Sequence, residues 1–490
     1  MGEFTTGSIP VLAGAYFDFQ VQSQEPVIVN PNGVAAIPFV HNWGPANQIV
    51  TLNSFADFIN AYGQGGLPYT PGYIAIREAF DGEGLAGRGG ASQILAYRMV
   101  GSGGAAGSKI LTNTTPATAI TLTAKYQGSW SSNVSVSVIP TPSAPTTETD
   151  INIWVQGVLV ETYTFPKTTL SVAVAAINSG SQWVSATLAL DGVALTTVSS
   201  PTALTGGNDG STLISSDWTN MMTAYGSRRF SVFAPFDLTD SAILASVVAW
   251  GGQGAGGLNA VGKRCEVVVG GALNETASTA ATRAESIDDP NFITIGVGSY
   301  SDSLLGTLST SQLAPRLAGI IAQRGGGQGL TFARLARVSI INGPVYSDTL
   351  SGITNGFMTL GVDSNPDAPV RFEKGVTTWS TTTDDLHPVS VFGNPKFVLT
   401  MQQIERAVTE WAESNVIGQM PVNDASVKFV INFLAKYLKG LQDTYRIQPG
   451  FTVQRATSPS PTPSDDFIAL TYQILFGRDV EKVLSTVIVG

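Results

Sequence analysis

The order of apolar runs downstream of residue 206 constrains this chain more than any other feature. Runs rich in β-branched and aromatic residues at 230–234, 266–269 and 292–297 alternate with helical stretches near 242–250, 276–286 and 312–322. Such a β-α-β-α-β alternation brings each strand back in the same direction, so it predicts a largely parallel α/β domain whose sheet is covered by helices. The preceding sequence has a different texture. From Lys109 to about Leu204 the chain is rich in Thr, Ser and Val, with alternating stretches at 134–139 and 151–155 separated by Pro-rich breaks. A small β-sandwich or barrel is expected there.

Nearer the N-terminus, 34–40 reads as a strand, Trp43-Gly44-Pro45 as a turn and 54–62 as a short helix, with Ser54 as N-cap and Gly63 behind it. This segment is expected to form a compact α+β unit of its own. Beyond about Thr377, amphipathic helices are expected at 401–414 and 426–441, then strands at 451–454 and 467–475 joined by a Pro/Ser-rich loop at 457–464. Two more strand patterns stand at the ends of the chain, at 15–21 and 483–489. A chain of 490 residues requires several domains, because one hydrophobic core rarely serves more than about 250 to 300 residues.

Hydrophobic residues make up 43% of the chain and charged residues only 13%, a weakly charged surface that suits a protein covered by neighbours. A formal charge of −10, from 36 acidic and 26 basic residues, provides no electrostatic footprint for nucleic acid or an anionic membrane. Cys265 is the sole cysteine, so no intrachain disulfide is expected; its setting before Glu266-Val267-Val268-Val269 reads as a buried strand and fits assembly in a reducing cytoplasm. Residues 1–10 lack the charged and apolar regions of a signal peptide, and no apolar run approaches the roughly 18 residues of a membrane span. Neither export by that route nor membrane insertion is expected.

Catalytic chemistry is expected to be absent. His41 and His387 are the only imidazoles, both lie outside the α/β segment, and both read as turn or surface residues. Two histidines and one cysteine make a zinc cluster implausible. The run Gly252-Gln253-Gly254-Ala255-Gly256-Gly257 matches a dinucleotide fingerprint, but it follows a helical stretch, whereas such a loop must follow a strand and open a helix. It reads as a flexible connection, as does Gly325-Gly326-Gly327-Gln328-Gly329. Asp288-Asp289 and Asp384-Asp385 read as solvated turns. No catalytic, cofactor-binding or metal-binding residue is expected, and the chain is not expected to be an enzyme.

Several segments carry a family resemblance in their joint order. They are Gly14-Ala15-Tyr16-Phe17, Gly33-Val34-Ala35-Ala36-Ile37-Pro38, Trp43-Gly44-Pro45 and Ser54-Phe55-Ala56-Asp57-Phe58, then Ala124-Lys125-Tyr126-Gln127-Gly128 followed by Asn133. Further on come Leu204-Thr205-Gly206-Gly207-Asn208-Asp209-Gly210, Leu313-Ala314-Pro315-Arg316-Leu317-Ala318-Gly319 and Glu373-Lys374-Gly375-Val376-Thr377-Thr378. Together they resemble the contractile tail sheath proteins of myophages, which are related to contractile bacteriocin and type VI secretion sheaths. The resemblance implies a multidomain α+β fold: a β-sandwich-like insert, a subtilisin-like α/β domain without a catalytic triad, and an α+β C-terminal domain with exchanged terminal strands. The expected organisation is an N-terminal linking arm at 1–22, an α+β region at 23–108, a β-sandwich at 109–205, the α/β domain at 206–376, the C-terminal sheath domain at 377–482 and a C-terminal linking arm at 483–490.

Terminal strands expose unpaired backbone groups unless an edge receives them. The resemblance implies that Tyr16, Phe17, Phe19 and Val21 at one end, and Val483, Leu484, Val487, Ile488 and Val489 at the other, are arms given to neighbouring subunits. There they would flank acceptor strands carrying Phe451, Val453, Phe467, Ile468, Leu470 and Tyr472, which is β-augmentation between identical chains. An intramolecular hairpin is the alternative for the C-terminal strand, since only 477–482 separates it from its predecessor. The resemblance further implies hexameric rings stacked around a tail tube, with baseplate and tail terminator proteins as partners and a place in the virion tail after assembly in the host cytoplasm; charge and motifs leave no nucleic acid, membrane or cofactor expected beside them. A capsid, surface-layer or adhesive subunit is the competing structural reading, and a nucleotide-dependent enzyme a third.

Overall fold

The computed structural model describes residues 2–3, 16–17, 33–63, 69–85, 89–259, 262–362, 369–380, 389–456, 468 and 470–476. Its centre is a six-stranded sheet in the order Phe292–Ile295, Glu266–Gly270, Val232–Phe233, Val34–Val40, Gln93–Met99, Ile49–Leu52. Five strands run parallel, and the edge strand Ile49–Leu52 is antiparallel to its neighbour. The parallel α/β arrangement expected downstream of 206 is present.

The expected boundary between 23–108 and 206–376 separates segments in sequence that the sheet joins in space. Val232 lies opposite Ala35 on one side and Glu266 on the other. The reason is readable in Val34–Val40, whose first six residues are all buried: a strand covered on both faces belongs inside a sheet and needs a neighbour on each edge. Its alternate side chains feed two cores. Ala35, Ile37 and Phe39 meet Ile76 and Leu317 of the helices Pro71–Asp81 and Thr310–Arg324. Val34 and Ala36 share the other core with Trp218 and Tyr225 of Ser215–Gly226 and Val247 of Ser241–Gly251.

The β-rich insert forms two antiparallel sheets, one of four strands and one of three, over a common core that includes Ile120, Leu122, Val136, Ile151 and Ile153. A helix absent from the sequence reading, Leu170–Gly180, closes this core with Leu170, Ala173 and Ile177. Trp43 joins the insert to the body, its ring 4.9 Å from that of Trp130 and 5.4 Å from that of Tyr126. Fully buried Arg98 fastens the same joint, donating to the carbonyls of His41 (2.7 Å), Gly44 (2.7 Å) and Gln127 (2.9 Å).

Candidate assembly interface

The C-terminal segment opens with two long helices, Pro395–Asn415 and Asp424–Asp443. Each starts at an asparagine cap: Asn394 Oδ1 accepts from Lys396 N at 3.0 Å, and Asn423 Oδ1 from Ser426 N at 2.9 Å. Proline at the first helical position needs no N–H partner, which extends the first helix upstream of the expected 401. Trp411 stacks on Phe433 with ring centroids 3.6 Å apart, and Ile404, Leu434, Leu438, Leu441 and Ile447 make a small separate core.

On that core lies an antiparallel pair, Thr452–Arg455 with Leu470–Gln473. Val453 faces Tyr472 and Arg455 faces Leu470, so the strand period of two puts Phe451, Val453, Leu470, Tyr472 and Ile474 on one face. Phe451, Val453, Leu470 and Ile474 pack on the helices. Thr452, Gln454, Thr471 and Gln473 occupy the other face and are exposed. The pair continues as a bridge between Ile447 and Phe476, with Gln448 N donating to Leu475 O at 2.7 Å. Among the described residues no third strand joins either edge.

The structure thus brings Phe451, Val453, Leu470 and Tyr472 together, while Ile468 precedes the second strand. Phe467 lies outside the described residues. Tyr16 and Phe17 pair in parallel with Gly2 and Glu3 of the same chain. Phe19, Val21, Val483, Leu484, Val487, Ile488 and Val489 lie outside the described residues, as do His387, Asp384 and Asp385.

Polar contacts join the first long helix to the α/β body. Gln402 Nε2 donates to Asn291 Oδ1 at 2.8 Å, Arg264 pairs with Glu405, and Arg229 pairs with Glu410. Burial, with Asp289 close by, pushes the fully buried Glu266 carboxyl well above its ordinary range. Thr400 rests on the glycine run after Arg324: a Cβ on Gly326 would lie 2.5 Å from Thr400 Oγ1 and 2.8 Å from its Cα. This run is a close helix contact, which only a residue without a side chain permits.

Three sequence expectations are corrected here. His41 is 3% exposed. Its ring is caged by Phe39, Phe58 and Tyr62, and Nε2–H donates to Tyr62 O at 2.9 Å. Burial lowers its pKa to about 4. The surface reading failed because the Trp43-Gly44-Pro45 turn folds under the insert. Asp289 is also buried, and Asp288 half-buried. The Asp289 carboxylate accepts from Gln253 N and Asn291 N, each at 2.8 Å. The first glycine run is therefore tied down at Gln253, because an orphan backbone N–H there finds a buried carboxylate. Cys265 is buried, as expected, but sits just before the strand Glu266–Gly270, and burial pushes its thiol up to about 12.

A buried charge network was not anticipated. Fully buried Arg316 donates to Glu78 and Asp302 at 3.3 Å and to the carbonyls of Gly82 and Ala336 at 2.6 Å. Arg337 adds contacts to Asp81 (2.7 Å) and Asp302 (3.1 Å), and Arg324 Nε donates to Glu83 at 2.9 Å. Charges on four segments neutralise one another inside the body. Among the described residues no group of three His, Cys, Asp or Glu side chains is placed to hold a metal ion, and no helix is long and apolar enough to cross a membrane.

No family model matches the chain. A curated relative, the phage-like element PBSX protein XkdK of Bacillus subtilis, is 32% identical over 98 residues, which is 20% of this chain and 19% of that protein. The matched stretch is therefore about a fifth of the curated relative's length. Among solved structures, the sheath tail protein of Desulfitobacterium hafniense superposes with a TM-score of 0.71 at 17% identity, covering 94% of this chain and all of that one. The sheath tail protein of Listeria innocua gives 0.66 at 19% identity, covering 91% and 96% of the two chains. The sheath of an extracellular contractile injection system, in its contracted state, gives 0.55 at 8% identity with 98% of each chain covered. The chain has the mixed α/β, multidomain fold of sheath tail proteins.

Proposed function

We propose that this chain is the structural subunit of a contractile tail sheath and not an enzyme. The observation that carries the proposal is the fold match along 94% of the chain to a sheath tail protein. On this proposal the two-stranded C-terminal pair, Thr452–Arg455 with Leu470–Gln473, receives arms from neighbouring subunits. An arm handed from each subunit to the next is a heterologous contact, which builds rings and open helices. In this reading hexameric rings stack around a tail tube, between baseplate and tail terminator, in a virion tail assembled in the host cytoplasm. The α/β body then has the subtilisin-like topology without its triad, and the units follow the boundaries at 22, 108, 205, 376 and 482.

Contraction needs two packings of the same subunits, the compact one lower in free energy. Burying a few hundred additional Å² of apolar surface per subunit supplies several kcal/mol, at about 25 cal/mol per Å². The arms keep subunits connected as their bodies rotate. No nucleotide is consumed at firing.

Negative-stain imaging of the purified chain is the test: hollow striated tubes are expected, whereas flat lattices or shells would show a different structural protein. Removal of 483–490 is expected to abolish tubes and leave a folded subunit. Undiminished tube formation by that truncation would contradict arm exchange.

A further inference from the structure

The helix Tyr346–Asn355 is inverted with respect to polarity. Its large apolar side chains Tyr346, Leu350 and Ile353 recur at the helical spacing and are 79%, 47% and 42% exposed, with Val345 at the N-cap 62% exposed. Its inward side is made of small residues. Gly352 is buried, a Cβ there would lie 2.5 Å from Phe357 O, and Thr359 Oγ1 donates to Thr349 Oγ1 at 3.3 Å. Beneath it, the helix Ala277–Ile287 contributes only alanines, Ala277, Ala280, Ala281 and Ala284, to a cluster with Val297 and Phe357. A helix anchored through glycine and threonine, with tyrosine, leucine and isoleucine facing water, has its burying face still to be covered.

We infer that this outer face is a contact surface for a second copy of the chain within the assembled polymer; the inference rests on the sheath reading. Two observations select that occupant. The four exposed side chains present roughly 400 Å² of apolar surface, about half of the ~800 Å² per partner that a self-sufficient interface buries. A patch of that size holds only when other contacts act with it, as in a lattice of repeated subunits. The stripe also lacks a charge pattern that would select a dissimilar protein. Asp348 is the only charged residue between 338 and 362, and its carboxylate accepts from Val345 N at 2.9 Å, capping its own helix.

The double variant Leu350→Glu/Ile353→Glu, and the milder Tyr346→Ser, are compared with the wild-type chain by thermal melting, sedimentation and negative-stain imaging. Tyr346 is the most exposed of the three, so Tyr346→Ser should keep the wild-type melting temperature. Leu350 and Ile353 are each about half covered, so the double variant is assayed below its own melting transition, where the concentration needed for tubes should rise at least about tenfold because assembly would bury two carboxylates. Tyr346→Ser should shift assembly in the same direction by less. Wild-type tubes with unchanged assembly of both variants would overturn the contact and leave the sheath reading standing. Wild-type association in some form other than tubes, lost in the double variant, would keep the contact and remove the sheath reading. A wild type that remains monomeric at every concentration would overturn both.

Discussion

Arg316 shows what one side chain does in this body. Replacing it by methionine leaves Glu78 and Asp302 buried with fewer compensating donors, a change that costs about 3 kcal/mol or more when one member of a buried ion pair is removed. Chemical denaturation should register this as a lower midpoint with an unchanged slope. His41 makes a pH prediction. Its folded pKa of about 4 lies below the ordinary 6.5, so the unfolded chain binds the proton more readily in that interval. Stability contributed by neutral His41 is thus complete above pH 6.5 and is lost as pH falls toward 4, amounting to about 3 kcal/mol. His41→Phe, which keeps an aromatic ring in the cage, should lose less stability than the wild type over that interval in parallel denaturation curves. Neither role could be read in advance. The run Leu313 to Gly319 was visible in the sequence, but nothing local says that Arg316 would meet a helix more than two hundred positions upstream.

Some helices were legible because their ends carry local chemistry, whereas Pro71–Asp81, Ser215–Gly226 and Tyr346–Asn355 had no counterpart in the sequence reading. Ser54, Asp240, Thr276 and Ser309 each accept a hydrogen bond from the first turn of the helix they open. Leu170–Gly180 was missed amid Thr- and Val-rich sequence, although Leu170, Ala173, Val174 and Ile177 keep helical spacing and their packing on the insert's core explains it. The C-terminal strand pair was legible from alternation alone, with its ends displaced by one to three residues. Sheet membership was not legible, since pairing depends on neighbours remote in sequence. Close contact between elements rests on glycine. A Cβ on Gly319 would lie 2.1 Å from Ala79 O, where the helices Thr310–Arg324 and Pro71–Asp81 cross. Gly319→Leu should therefore drive the two helices apart and lower stability by about 1 to 3 kcal/mol or more, measurable by calorimetry. Gly326→Val should push Thr400 away, loosen the joint with Pro395–Asn415 and lower the melting temperature, measurable by the same calorimetry.

For the molecule as a whole, a weakly charged surface predicts how the proposed assembly responds to solvent. Contacts built from apolar side chains weaken on cooling and strengthen in sulfate, whereas contacts built from ion pairs weaken as salt rises. Sedimentation of the wild-type chain should show a lower critical concentration in sulfate and a higher one in the cold. The order of the central sheet also bears on how each copy is made. Val34–Val40 leaves the ribosome before its neighbour Val232–Phe233, which follows only about 190 residues later, roughly ten to forty seconds at ordinary rates of synthesis. Throughout that delay the nascent chain carries an apolar strand with one side unfilled, while the insert between them is free to fold first. Translation speed and ribosome-associated chaperones should consequently govern the yield of soluble subunits more strongly than they govern that of the isolated insert.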